Sequence, residues 1–281
     1  MMRIRIILIF GATALCASCG GGGGSDGEGT SVIASFYPLA FAAEQVGGAS
    51  VRVRNLTPPG AEPHDLEATP GDVQELHEAD LVLLLGKGFQ PQFEDAAGDG
   101  ERVLRLLDTP GLAVLGSDPH VWLDPLRYAV LVKRIGGAIG RSEEAERLER
   151  RLRALDRAYR DGLADCARHE IVTSHEAFAY LADRYGLEQI SISGLSPEAE
   201  PAPRNLERAV DAVRDTGATT VFFETLVSPR VAKTVAREAG VKTAVLNPVE
   251  GLTESEQDHG ADYFSLMRVN LATLREALAC R

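Results

Sequence analysis

The sequence predicts an α/β protein of two lobes, each a mostly parallel sheet flanked by helices, joined by a long rigid connecting helix. Three observations carry this. Short apolar strands alternate with helices from about residue 31 to 120, the pattern turns to helix alone from Pro125 to Cys166, and the alternation then resumes to the end. A chain of 281 residues is long for one core and comfortable for two, since domains cluster at roughly 100 to 150 residues.

The first lobe opens with an apolar strand, Ser31 to Phe36, running into Tyr37-Pro38, where proline suits the first turn of a helix. Val51 to Leu56 is the next strand, and Thr57-Pro58-Pro59-Gly60 ends it in the loop that carries His64. A helix from Thr69 to Ala79 precedes Asp80 to Gly86, whose unbroken apolar run fits a strand buried on both faces of a parallel sheet.

In the helical stretch, Leu148, Leu152, Leu155 and Tyr159 recur at helical spacing among charges, so Glu143 to Arg153 reads as a solvated helix face. Gly136, Gly137 and Gly140 mark a break before Ser142-Glu143-Glu144 starts the longer piece. The second lobe follows with strands at Glu170 to Ser174, Gln189 to Ile192, Thr219 to Phe223 and Val241 to Leu246. Helices are expected at Ala177 to Tyr185, Asn205 to Thr216, Ser228 to Ala239 and Asp262 to Leu278.

The N-terminus reads as a secretory segment, with Arg3 and Arg5 ahead of the apolar run Ile6 to Leu15, too short for an ordinary membrane span. Ala17-Ser18-Cys19-Gly20 resembles a bacterial lipoprotein signal, although Cys16 stands where that pattern usually has Leu. The expected division is therefore 1–18 signal peptide, 19–30 flexible tether lipidated at Cys19, 31–124 first lobe, 125–166 connector and 167–281 second lobe. Such a protein is extracytoplasmic and held at the membrane by its lipid, the alternative being a periplasmic or secreted protein without lipid on Cys19. After export Cys166 and Cys280 remain, and an isolated even pair in an oxidising compartment is most simply a disulfide, the alternative being two buried thiols. The formal charge of −12 argues against a nucleic-acid partner, which calls for a basic face. It is compatible with handling cations.

Three of the six His residues have settings that suit a metal. His120 lies in Asp118-Pro119-His120-Val121-Trp122-Leu123-Asp124-Pro125, where two prolines bias their predecessors away from helix and fix the imidazole in an extended connection. His64 and His175 each follow a predicted strand, in the loop before the next helix. Parallel sheets place ligands at the carboxyl ends of strands, so these three can meet in the cleft between lobes. His77, His169 and His259 lack such context and read as ordinary helix or surface residues, and Trp122 as a packing anchor beside His120.

Pro63-His64-Asp65-Leu66-Glu67, the Asp118 to Pro125 run and Ser174-His175-Glu176-Ala177-Phe178-Ala179-Tyr180-Leu181 resemble the three metal motifs of the zinc and manganese solute-binding proteins of bacterial ABC importers. The closing stretch from Gly260 to Leu271 is similar to that family's end, so the resemblance covers nearly the whole exported chain. It implies a two-lobed fold with one ion between the lobes, and His64, His120 and His175 match the ligand positions. Manganese members tend to have a carboxylate at the third position; an imidazole there favours Zn2+ over Mn2+.

An ungapped comparison brings Glu250 onto the fourth ligand position, with Glu224 and then water as alternatives. Asp65, Glu67, Asp124, Glu176 and Glu224 are candidates to hydrogen-bond the ligand imidazoles from behind. Residues 108 to 117 hold no His, so the His-rich insertion of many zinc members is missing.

The implied role is capture of zinc and delivery to an ABC permease and its ATPase, by a monomer whose lobes are substantial enough to fold without the ion. Two His from one lobe, with His175 and a carboxylate from the other, would close on the ion. A small movement, of the Glu250 segment above all, would release it. The same fold with manganese or iron as cargo is the near alternative. A secreted zinc hydrolase is the alternative of another class, because three His with an open fourth position suit catalysis. Against it, the sequence has no His-Glu-x-x-His helix, and a fourth protein ligand leaves no place for an activated water.

Overall fold

The computed structural model describes residues 29–197 and 200–281. The expected signal peptide, the lipidation at Cys19 and the tether, apart from Gly29 and Thr30, lie outside the described residues.

Two four-stranded parallel sheets organise the chain. In the first lobe β1 (Thr30–Ala34), α1 (Tyr37–Gly47), β2 (Val51–Asn55), α2 (Pro70–Glu78), β3 (Leu81–Leu84), α3 (Pro91–Ala97) and β4 (Val103–Arg105) build a sheet of order β2-β1-β3-β4. The second lobe repeats that order as β6-β5-β7-β8. Its elements are β5 (Glu170–Thr173), α6 (Ala179–Tyr185), β6 (Glu188–Ser191), α7 (Pro203–Thr216), β7 (Thr220–Phe223), α8 (Arg230–Ala239), β8 (Lys242–Val245), α9 (Glu254–Asp258) and α10 (Tyr263–Leu278). In each sheet the crossovers leave the first strand in opposite directions. That creates a crevice at the carboxyl ends, where such sheets bind ligands.

Each expected strand and helix is present, with ends one or two residues shorter in most. All four residues of β3 are buried, as its unbroken apolar run requires. Three elements were not expected from the sequence, α3, β4 and α9, because seven, three and five residues are too few to display a period.

The connector differs from a single helix. It is a pair, α4 (Pro125–Ile139) and α5 (Ser142–Leu163), and the chain reverses at Gly140, whose φ of 75° ends α4 in the left-handed region. The two helices pack closely where Gly136 faces Ala145, since a Cβ on Gly136 would stand 2.4 Å from that of Ala145. The 22 residues of α5 span about 33 Å. Its C-terminal end is tied to the chain beyond α10 by a disulfide between Cys166 and Cys280.

One contiguous apolar cluster runs through the whole assembly. It takes Val32 and Phe36 from the first lobe, Ile171, Phe222 and Leu274 from the second, and Leu148 and Leu152 from the helices between. Smaller clusters fill the far face of each sheet.

Candidate functional site

The carboxyl ends of the two sheets face each other, and the loops leaving them bring four polar side chains together. His64 arrives on the loop after β2, behind the buried Pro63. His120 arrives after β4, at the end of a connection braced by Tyr180, whose hydroxyl donates to the Asp118 carbonyl at 2.8 Å and accepts from the Leu115 N–H at 2.8 Å. His175 follows β5, with its carbonyl bonded by the Thr173 hydroxyl at 2.7 Å and the Gln189 amide at 3.0 Å. Glu250 sits on the turn after β8.

One ligand-type atom from each of His64, His120, His175 and Glu250 lies within 4.8 Å of all the others. Glu250 Oε1 is 3.4 Å from His64 Nε2, 3.0 Å from His120 Nε2 and 3.7 Å from His175 Nε2. The Nε2 atoms of His120 and His175 are 3.4 Å apart. Four atoms bound tetrahedrally at zinc distances are separated by about 3.3 Å. The cluster thus has the dimensions of a four-coordinate cation site. Consistently, the buried His64 Nε2 and Glu250 Oε1 find no hydrogen-bond partner among the described residues.

Two of the imidazoles are oriented from behind by carboxylates. Asp118 Oδ1 lies 2.6 Å from His120 Nδ1 and also accepts the His120 backbone N–H at 2.9 Å. Glu224 Oε1 lies 2.7 Å from His175 Nδ1 and is contacted by the Ser174 hydroxyl. A proton on each Nδ1 leaves the Nε2 lone pair for the centre.

Burial by itself would lower the His120 imidazole, but Asp118 and Glu250 outweigh it and raise it. Burial opposes the charged form of His175 as well. Glu224 and then Glu250 overcome that and push it up to about 10. For Glu250, burial would favour the neutral acid, yet contact with His120, His175 and His64 holds the carboxyl well below its usual range.

Access is one-sided. The side chains of His120 and His175 are 0% exposed and Glu250 1%, whereas His64 is 10% exposed. His64 borders a cavity of about 300 Å³ that is also lined by Asp65, Lys87, Phe89, Pro119 and Leu195.

The structure brings together His64, His120, His175 and Glu250, with Glu224 behind His175, but the other expected supports fall elsewhere. Asp65, Glu67 and Glu176 are exposed and bond none of the three imidazoles. Asp124 instead caps α4, accepting from the Leu126 N–H at 2.8 Å and pairing with Arg127 at 2.8 Å. Its place behind His120 is taken by Asp118, which sequence reasoning passed over. The available signal was the Asp-x-His spacing, in which a carboxylate reaches the N–H two residues on. Glu62 was also missed; burial, then the Glu250 charge, push it up to about 8 although it accepts the His64 N–H at 3.0 Å. His77 and His259 lie against the Ala96 and Ser255 carbonyls.

Comparison with known proteins gives a consistent picture. The family described as zinc-uptake complex component A, periplasmic, matches residues 32–277. The zinc-binding protein AdcA of Streptococcus pyogenes is 35% identical over 283 residues, covering 87% of this chain and 55% of that one. The chain therefore spans about half the length of the streptococcal relatives it matches. The high-affinity zinc uptake system protein ZnuA of Bacillus subtilis is 32% identical over 309 residues and 97% of each chain. The Zn(II)-bound ZnuA-like domain of Streptococcus pneumoniae AdcA superposes with a TM-score of 0.75 at 33% identity, covering 89% of this chain and 99% of that domain.

Proposed function

Because the chain belongs to the zinc-uptake complex component A family, we propose that it is an extracytoplasmic protein that captures Zn2+ between its lobes and delivers it to an ABC permease and its ATPase. His64, His120, His175 and Glu250 are the ligands. The observation that carries this assignment is their convergence: one ligand atom from each lies within 4.8 Å of all the others, and four of the six separations are 3.0 to 3.7 Å, close to the edge of a zinc tetrahedron. Three imidazoles with one carboxylate favour zinc over manganese, which prefers oxygen. Glu250 fills the fourth position, so no water is left to be activated and the role is transport and not hydrolysis. The chain acts as a monomer, with residues 1–18 removed and 19–30 forming a tether from lipidated Cys19. Residues 31–124 and 167–281 are the lobes that hold the ion, and 125–166 sets their spacing.

Titration of the chain lacking its first 19 residues with zinc and with manganese, by calorimetry, tests this. One tight zinc site, much weaker manganese and a large loss in Glu250→Ala are expected. Equal zinc binding by Glu250→Ala would remove Glu250 from the set, and preference for manganese would overturn the choice of metal.

A further inference from the structure

The turn that carries Glu250 leaves β8 in the second lobe and is bonded to the first. At its start the partners belong to the second lobe: the Asn247 N–H donates to Asn270 Oδ1 at 2.9 Å, and Asn270 Nδ2 donates to the Asn247 carbonyl at 2.6 Å. From Pro248 onward they change. The Trp122 indole N–H donates to the Pro248 carbonyl at 2.7 Å, and the Gly60 N–H donates to the Leu252 carbonyl at 2.8 Å. Glu250 lies between those two bonds.

At the crossing stands Val249, buried, with φ 58° and its N–H on Asn247 Oδ1 at 2.7 Å. A β-branched residue adopts that left-handed conformation only when its surroundings impose it. Trp122 can impose it because it is itself fixed. Fully buried, its ring lies 4.9 Å from Phe36, 6.0 Å from Phe89 and 5.2 Å from His120. An indole N–H so placed requires an acceptor, and the acceptor is the turn of the other lobe.

Resting on the ligand reading above, we propose that Trp122 is a positioning residue for Glu250. By holding the Pro248 carbonyl, its N–H ties the carboxylate's turn to the first lobe. His64, His120 and Glu250 then form one set, and His175, anchored by Glu224 and Ser174, is the ligand that parts from them when the ion leaves. This replaces the two-and-two division read from chain order, in which Glu250 moves with His175.

Trp122 is the chain's single tryptophan, so growth on a benzothienyl analogue, in which sulfur replaces the N–H, changes this position alone. Trp122→Phe is the second variant. Each is compared with the unmodified protein, in the wild-type and Glu250→Ala backgrounds, for zinc release to a chelator and for the visible spectrum of bound Co2+. Loss of one buried hydrogen bond predicts release faster by on the order of tenfold, with a cobalt spectrum moved toward that of Glu250→Ala and no further change in that background. An unchanged rate and spectrum with the analogue overturns the proposal. So does equal acceleration when Glu250 is already absent, which would make Trp122 a packing residue only. If Glu250→Ala alone leaves zinc affinity and the cobalt spectrum unaltered, the ligand assignment itself falls and this inference with it.

Discussion

Zinc must displace protons from this site, and the structure gives the direction and scale. In the metal-free protein the His175 imidazole is pushed up to about 10, so at neutral pH it is protonated beside Glu250, and the neighbouring carboxylates raise His120 as well. A ligand nitrogen must be free of its proton to bind. At pH 7 the His175 proton alone weakens zinc binding on the order of a thousandfold relative to high pH, about 4 kcal/mol. Affinity should therefore rise with pH across neutrality, with at least the His175 proton released on binding. Calorimetry at pH 7 in buffers of different ionisation enthalpy counts the released protons directly. No proton release, together with a flat affinity from pH 6 to 8, would refute the claim that the buried carboxylates hold His175 protonated. The metal-free fold shows the opposite dependence. The raised His175 contributes stability below about pH 6.5 that is lost as pH climbs toward 10, and the depressed Glu250 contributes stability above about pH 4.5 that is lost in acid. The gap in melting temperature between zinc-bound and metal-free protein should widen with pH.

Asp118→Asn removes the carboxylate behind His120 and should weaken zinc binding about 10- to 100-fold by titration against a competing chelator, while the fold persists. Cys280→Ser opens a loop of sequence separation 114 and should lower stability by up to about 4 to 5 kcal/mol in denaturant, leaving zinc affinity unchanged because the bridge lies at the far end of α5. Gly136→Val drives a side chain into Ala145 and should cost about 1 to 3 kcal/mol in thermal unfolding, reading the closeness of the helical pair directly.

The strands and helices with a full period, and the three His between turn signals, were readable because local sequence dictates them. β3 announces itself by being apolar at every position, and the α5 face by its leucine spacing. What escaped depends on chain meeting chain. Asp118 and Asp124 are both Asp before Pro in one motif, and only the fold decides that the first turns toward the His120 ring while the second caps α4. Chain order assigns Glu250 to the second lobe, whereas its turn is bonded by Trp122, distant in sequence. The glycines of the connector signalled a break, but the reversal at Gly140 that makes a hairpin is set by packing on Ala145.

The apolar cluster that runs from Val32 to Leu278 through both lobes has a consequence for how this protein comes apart. Neither sheet keeps a complete hydrophobic interior if the other is removed, so cutting at the lobe boundaries strands half of a shared interior in water. Heating should produce one calorimetric transition with equal calorimetric and van't Hoff enthalpies, instead of the two expected of domains on a hinge. In thermodynamic terms the lobes are a single cooperative unit, and ion exchange has to be carried by side chains and turns at the cleft while the interior stays closed.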